Sequence, residues 1–107
     1  MSAALAADPV LRRVRQALDV MYGDRLERAV LFGSRARGDA RDDSDYDVAV
    51  FIRDMKDRWP EMDRLAVMGV EICDETGEFV HAMAHRAGSY AERTPLMMEI
   101  RRDGIDL

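Results

Sequence analysis

At 107 residues, with hydrophobic residues at 48%, the chain is sized for a single domain, 1–107, with one modest core. Sixteen Lys and Arg against 21 Asp and Glu give a formal net charge of −5, which leaves no electrostatic footprint for wrapping a nucleic acid. The single Cys73 excludes an internal disulfide, no apolar run approaches the ~20 residues that span a bilayer, and Met1 to Ala7 lacks the basic start and apolar centre of a signal peptide, so a reducing cytoplasm is the expected compartment.

Asp8 before Pro9 reads as an N-cap and first helical residue. Val10, Leu11, Val14, Ala17, Leu18 and Met21 then recur at helical spacing, which predicts a first helix ending near Tyr22 and Gly23. Arg28 to Phe32 is a short apolar run stopped by Gly33, the pattern of a buried strand, and Ser34 to Gly38 leaves it in a brief helical turn. Residues 39 to 45 are polar and turn-prone, whereas Tyr46 to Ile52, with Val48, Val50, Phe51 and Ile52, reads as a second strand. Pro60 opens a long helix through about Cys73, with Met62, Leu65, Ala66, Gly69, Val70 and Cys73 on one side. Gly77 interrupts, Phe79 to Ala84 reads as a third strand, and Pro95 begins a final helix that carries Leu96, Met97 and Ile100 and stops at Gly104. Strands alternating with helices predict an α/β fold, a small mixed sheet of about three strands flanked by helices, with the strand order open.

The chemistry concentrates in Leu31-Phe32-Gly33-Ser34-Arg35-Ala36-Arg37-Gly38 and Ser44-Asp45-Tyr46-Asp47-Val48. Alternate residues of a strand share a face, so Asp45 and Asp47 can offer two carboxylates to one ion. Mg2+ suits them, because it takes hard oxygen ligands and usually combines one or two carboxylates with waters and substrate phosphates. Gly33 lets the backbone come close to a phosphate, and Ser34 adds a hydroxyl and an amide at the start of a helical turn, where anions are favoured. Arg35 and Arg37 add positive charge against the phosphates. A P-loop is absent, since no Gly-x4-Gly-Lys-Ser/Thr run occurs.

Gly33-Ser34 followed after ten residues by Asp45-x-Asp47 resembles the signature of the DNA polymerase beta nucleotidyltransferase superfamily, most of all its minimal, MNT-type members. The resemblance is strong from about Val30 through Ile52 and weaker over the surrounding elements. It implies the polymerase beta-like fold, phosphate binding at Gly33 and Ser34, metal binding at Asp45 and Asp47, and transfer of a nucleoside monophosphate to a hydroxyl with loss of pyrophosphate. It further implies ATP as substrate and an MNT-type antitoxin that adenylylates a tyrosine of a cognate HEPN-type toxin. Self-association is left open.

Many members of that superfamily carry a third carboxylate on the next strand, and aligned on Gly77 its place falls on His81. An imidazole can act as a base near neutral pH but is a poorer Mg2+ ligand than a carboxylate. Glu78 is the nearby substitute. Three residues apart, the two fall on opposite faces of a regular strand, so at most one can join the acids. A non-catalytic module that neutralises a partner by masking it, and nucleotidyl transfer to a small molecule such as an aminoglycoside, are the competing readings. The eight methionines read as core filling and contact surface. Trp59 reads as a staple at a helix start, Asp39, Asp42 and Asp43 as loop solvation, Cys73 as a small hydrophobe, and His85 as structural or exposed.

Overall fold

The Asp8 carboxylate caps the first helix as its position predicts, accepting from Val10 N at 2.8 Å and Leu11 N at 3.4 Å. In this computed structural model, which describes residues 6–107, that helix is α1, Pro9–Tyr22, and it buries Val10, Leu11, Val14, Leu18 and Tyr22. Most of the N-terminal stretch weighed above against a signal peptide lies outside the described residues. After α1 come β1 (Leu26–Phe32), α2 (Ser34–Arg37), β2 (Tyr46–Ile52), α3 (Arg58–Thr76), β3 (Val80–Arg86), α4 (Pro95–Asp103) and β4 (Ile105–Asp106). Among the described residues no helix is long and apolar enough to cross a membrane.

The sheet has four strands in the order β3-β2-β1-β4. β1 runs antiparallel to β2 and to β4, while β2 and β3 are parallel and are joined by the crossover helix α3, as a parallel pair requires. α3 lies close on β3: a Cβ at Gly69 would come 2.6 Å from the Val80 carbonyl oxygen.

Strand alternation divides the core into two layers. Ala29, Leu31, Val48, Val50, Ile52, Ala82 and Ala84 pack with α1 and α3 on one face, while Val30, Phe32, Ala49 and Phe51 pack with Met97 and Ile100 of α4 on the other. On β2 the odd-numbered residues therefore look toward α4, and this decides where Asp47 points.

Several boundaries differ from the sequence reading. β1 starts at Leu26, not Arg28, because a register irregularity between Leu26 and Arg28 breaks the period-two pattern around the exposed Glu27. α3 starts at Arg58, capped by Asp57, whose Oδ1 accepts from Trp59 N at 3.1 Å. Its buried side is Glu61, Leu65, Met68, Gly69 and Ile72, so Ala66 and Val70 turn outward. Trp59 is 71% exposed and staples nothing. β4, only two residues long, is a fourth strand beyond the three expected.

Candidate active site

The site begins where β1 ends. Phe32 pairs with Asp47 in the antiparallel ladder, so the bend after β1 lies beside the start of β2 although 13 residues separate Gly33 from Asp47 in sequence. Gly33 takes φ +75°, a region that L side chains rarely adopt. Its carbonyl oxygen accepts from Ala36 N and Arg37 N, each at 3.1 Å, and so starts the single turn of α2 at Ser34. A Cβ at Gly33 would meet Asp47 Oδ2 at 2.6 Å, so the bend and the acid are in van der Waals contact.

Asp47 is half-buried and Asp45 is exposed. Burial raises the Asp47 carboxyl above the usual carboxylate range; His81 opposes the rise, and the charges of Asp45 and Glu99 add to it. A divalent cation beside it would favour the charged form that burial disfavours. Among the described residues no cluster of three or more His, Cys, Asp or Glu side chains forms a complete metal cage. An ion held by Asp45 and Asp47 would draw its other ligands from water and substrate phosphates, the arrangement Mg2+ favours. The hard oxygens, the glycine cradle and the raised carboxyl fit such an ion.

His81 pairs with Asp47 in the parallel ladder, and its Nδ1 lies 3.7 Å from Asp47 Oδ1. Glu78 turns the other way and pairs with Arg35 at 3.4 Å, so of the two candidates only His81 reaches the acids. His85 lies further along β3, stacked on Phe51 with ring centroids 5.4 Å apart, in a structural position.

The two arginines of the turn separate. Arg37 stays on the acid side, with Nε 3.3 Å from Asp39 Oδ2 and Nη1 3.7 Å from Glu99 Oε1. Arg35, expected against the phosphates, instead reaches the opposite face of β2. There its Nε and Nη2 donate to the Ser44 carbonyl at 3.2 and 2.8 Å, and its guanidinium lies 4.3 Å from the centroid of the Tyr46 ring. The physical reason is local: a four-residue helix has little more than one turn, so side chains two positions apart diverge around it.

Sequence reasoning missed Glu99, which α4 carries toward Arg37 and Asp47, and the partnership of Tyr46 with Asp8. The Tyr46 hydroxyl donates to Asp8 Oδ2 at 2.8 Å; burial first and then Asp8 push it up to about 12, so it stays a donor. No local pattern announces either contact. One groove, about 940 Å3, lies between α1 and α3 around Ala17, Val20, Val67 and Met68. A second, about 580 Å3, lies around Asp8, Leu31, Arg35, Tyr46 and Ile105. Neither is lined by Asp45 or Asp47, which open directly to solvent.

A strand, a glycine bend and an antiparallel strand opening on Asp-x-Asp, followed by a parallel third strand, define a nucleotidyltransferase domain of the polymerase beta-like type. The model of the nucleotidyltransferase domain family matches residues 11–85, and the chain belongs to that family of transferase enzymes. A Methanocaldococcus jannaschii protein provisionally named a protein adenylyltransferase is 35% identical over 46 residues, 43% of this chain and 46% of that relative. The match thus spans less than half the length of that relative. Among solved structures, a toxin–antitoxin with AMP-PNP superposes with a TM-score of 0.63 at 20% identity, covering 89% of this chain and 69% of that one. A mutant of the toxin–antitoxin MntA-HpeT gives 0.61 at 18% identity over the same shares. A nucleotidyltransferase from Sulfolobus solfataricus, also named provisionally, gives 0.53 at 21% identity, covering 89% and 72%. At these identities the likeness is one of fold.

Proposed function

We propose that this domain transfers AMP from ATP, with Mg2+, to a tyrosine hydroxyl of a HEPN-type partner toxin, and so acts as an MNT-type antitoxin. The observation that carries the reading is the contact between Gly33 and Asp47, which sets a glycine bend directly against a half-buried carboxylate. In this reading Asp45 and Asp47 hold the cation, and Gly33 and Ser34 seat the triphosphate. Arg37 adds charge from the same side, and His81 takes the proton of the attacking hydroxyl. Bound there, the cation would stabilise negative charge developing on the phosphate oxygens during in-line attack at the α-phosphorus. The exposure of Asp45 and His81 suits an acceptor presented by another macromolecule, because no described residue forms a lid over them. The name of the M. jannaschii relative supports adenylyl transfer, and the toxin–antitoxin structures support a toxin partner.

The test is to incubate the chain with Mg2+, ATP and the purified partner and to weigh the partner by intact mass spectrometry. A gain of one adenylyl group on tyrosine is expected. Stable binding of the two proteins without any mass gain sinks the transfer reading.

His81 opposite Asp47, where the family resemblance leads one to expect an acid, favours a second reading: a module that neutralises its partner by masking alone. The variant Asp45→Asn with Asp47→Asn separates the two, since masking survives it and transfer does not.

A further inference from the structure

Behind the acid pair, on the opposite face of β2, lies a network that the transfer chemistry does not use. Tyr46, between Asp45 and Asp47, is 5% exposed. Its hydroxyl donates to Asp8 Oδ2 at 2.8 Å, and Asp8 is itself fixed by capping α1. The Arg35 guanidinium covers the Tyr46 ring, and its Nη2 is 3.4 Å from Glu78 Oε2. Glu78 precedes Phe79, whose carbonyl accepts from Tyr46 N at 2.9 Å.

We propose that Arg35, Tyr46 and Asp8 form a clamp that sets the spacing and direction of Asp45 and Asp47 for a divalent cation, with Arg35 a positioning residue and not a phosphate ligand. The proposal rests on the reading that this pair holds the cation. Three physical points carry it.

The first is the peptide plane. The Ser44 carbonyl belongs to the planar peptide that leads into Asp45, so the two hydrogen bonds from Arg35 at 3.2 and 2.8 Å orient that plane and with it the backbone of Asp45. The second is alternation. Side chains on a strand point to opposite faces in turn, so pinning Tyr46, by a guanidinium over its ring and by Asp8 at its hydroxyl, commits Asp47 to the other face and fixes the residue that follows Asp45. The third is need. Asp45 precedes the first residue of β2 and follows a polar loop, residues 39–45, with no buried side chain of its own. The loop is closed on itself by Ser44 N donating to the Arg41 carbonyl at 3.0 Å and Arg41 N to Ser44 Oγ at 2.8 Å, and Arg35 ties that turn to the face of Tyr46. Arg is the residue type for this task, since its flat fork can stack on a ring while two of its nitrogens donate in plane.

An acid pair ordered in advance binds a cation without paying to order itself. Loss of such supporting contacts typically costs about 10–100-fold in metal affinity. The experiment is a titration of the nucleotide-free, 15N-labelled chain with Mn2+, followed by paramagnetic broadening of amide resonances. In the wild type, broadening should centre on Asp45, Asp47 and Gly33. In Arg35→Lys and in Tyr46→Phe the same broadening should need about 10-fold more Mn2+. The dispersion of the same spectra reports whether each variant is folded, and Tyr46→Phe, which removes one hydroxyl, carries the test if Arg35→Lys is not. Absence of focused broadening in the wild type removes the cation reading itself, and the clamp with it. Focused wild-type broadening with unchanged titration in the folded variants overturns the clamp alone. So does an Arg35→Lys protein whose only defect is a raised KM for ATP, the behaviour of a phosphate ligand.

Discussion

Gly33 and Asp47 are packed so closely that no side chain fits between them: a Cβ on the glycine would stand 2.6 Å from the carboxylate oxygen of the aspartate. Gly33→Ala therefore does two separate things. It places a side chain at φ +75°, ψ −158°, a region essentially reserved for glycine, which costs about 1–3 kcal/mol in folded stability, and it displaces Asp47, whose short side chain cannot yield without moving its carboxylate. We expect a lowered Tm together with a loss of transfer larger than the stability cost explains. A Gly33→Ala protein of normal Tm and full activity would show that the close approach has no role.

Asp47→Asn should separate function from stability in the opposite sense. The carboxyl is raised above its usual range by burial, so its charged form is disfavoured in the folded protein, and an amide of the same shape relieves this. In EDTA the variant should melt at the wild-type temperature or above it. Several kcal/mol of charge stabilisation goes with the cation, so transfer should fall by about 100-fold or more. The rise in Tm that Mg2+ and ATP give the wild type, which chelation removes, should be absent from the variant. Differential scanning fluorimetry with and without EDTA reads both effects. A variant that still gains stability from Mg2+ and ATP would move the cation elsewhere.

His81 stands 3.7 Å from Asp47 through Nδ1 and is half open to solvent, so replacing it tests proton transfer with little effect on the fold. If it accepts the proton of the acceptor hydroxyl, His81→Ala should lower kcat by about 100-fold, within the usual range for a general base, and leave KM for ATP nearly unchanged. His81→Asp restores the acid that the resemblance calls for and should lower the Mg2+ concentration at half-maximal rate. Equal Mg2+ dependence in His81→Asp and the wild type would place position 81 outside the metal's surroundings.

The direction of Asp47 was legible because period-two alternation is a property of the chain itself, whereas Asp45 precedes β2 and alternation alone does not fix it. The bounds of β2, Tyr46–Ile52, were legible for the same reason, since a polar loop gives way abruptly to an apolar run. What escaped depends on other elements. The direction of Arg35 follows from how one helical turn leaves Gly33, and Glu99 reaches Arg37 only because α4 packs on Val30, Phe32 and Phe51. β4 is two residues paired with β1, too short to carry any period, and it exists because the chain returns along an open sheet edge.

His85 yields a prediction about pH that is independent of the acids. Its Nε2 is buried without a hydrogen-bond partner among the described residues, and its ring stacks on Phe51. Burial, and then the charge of Arg58, hold its pKa below 6.5, with Glu92 opposing. In the unfolded chain the same imidazole takes up a proton at about 6.5, so between that value and the lower folded one the unfolded state binds more protons. Stability is then full above pH 6.5 and falls as the pH drops toward the folded pKa, where the loss levels off. His85→Phe keeps an aromatic ring on Phe51 and removes both the proton and the unpaired nitrogen. Its Tm at pH 7.5 should match or exceed that of the wild type, because replacing an unsatisfied buried polar group by an apolar one is neutral or favourable. The difference in Tm between variant and wild type should widen as the pH is lowered from 7.5 to 5.5. A difference constant over that range would mean that His85 is as free to protonate in the folded protein as in the unfolded chain.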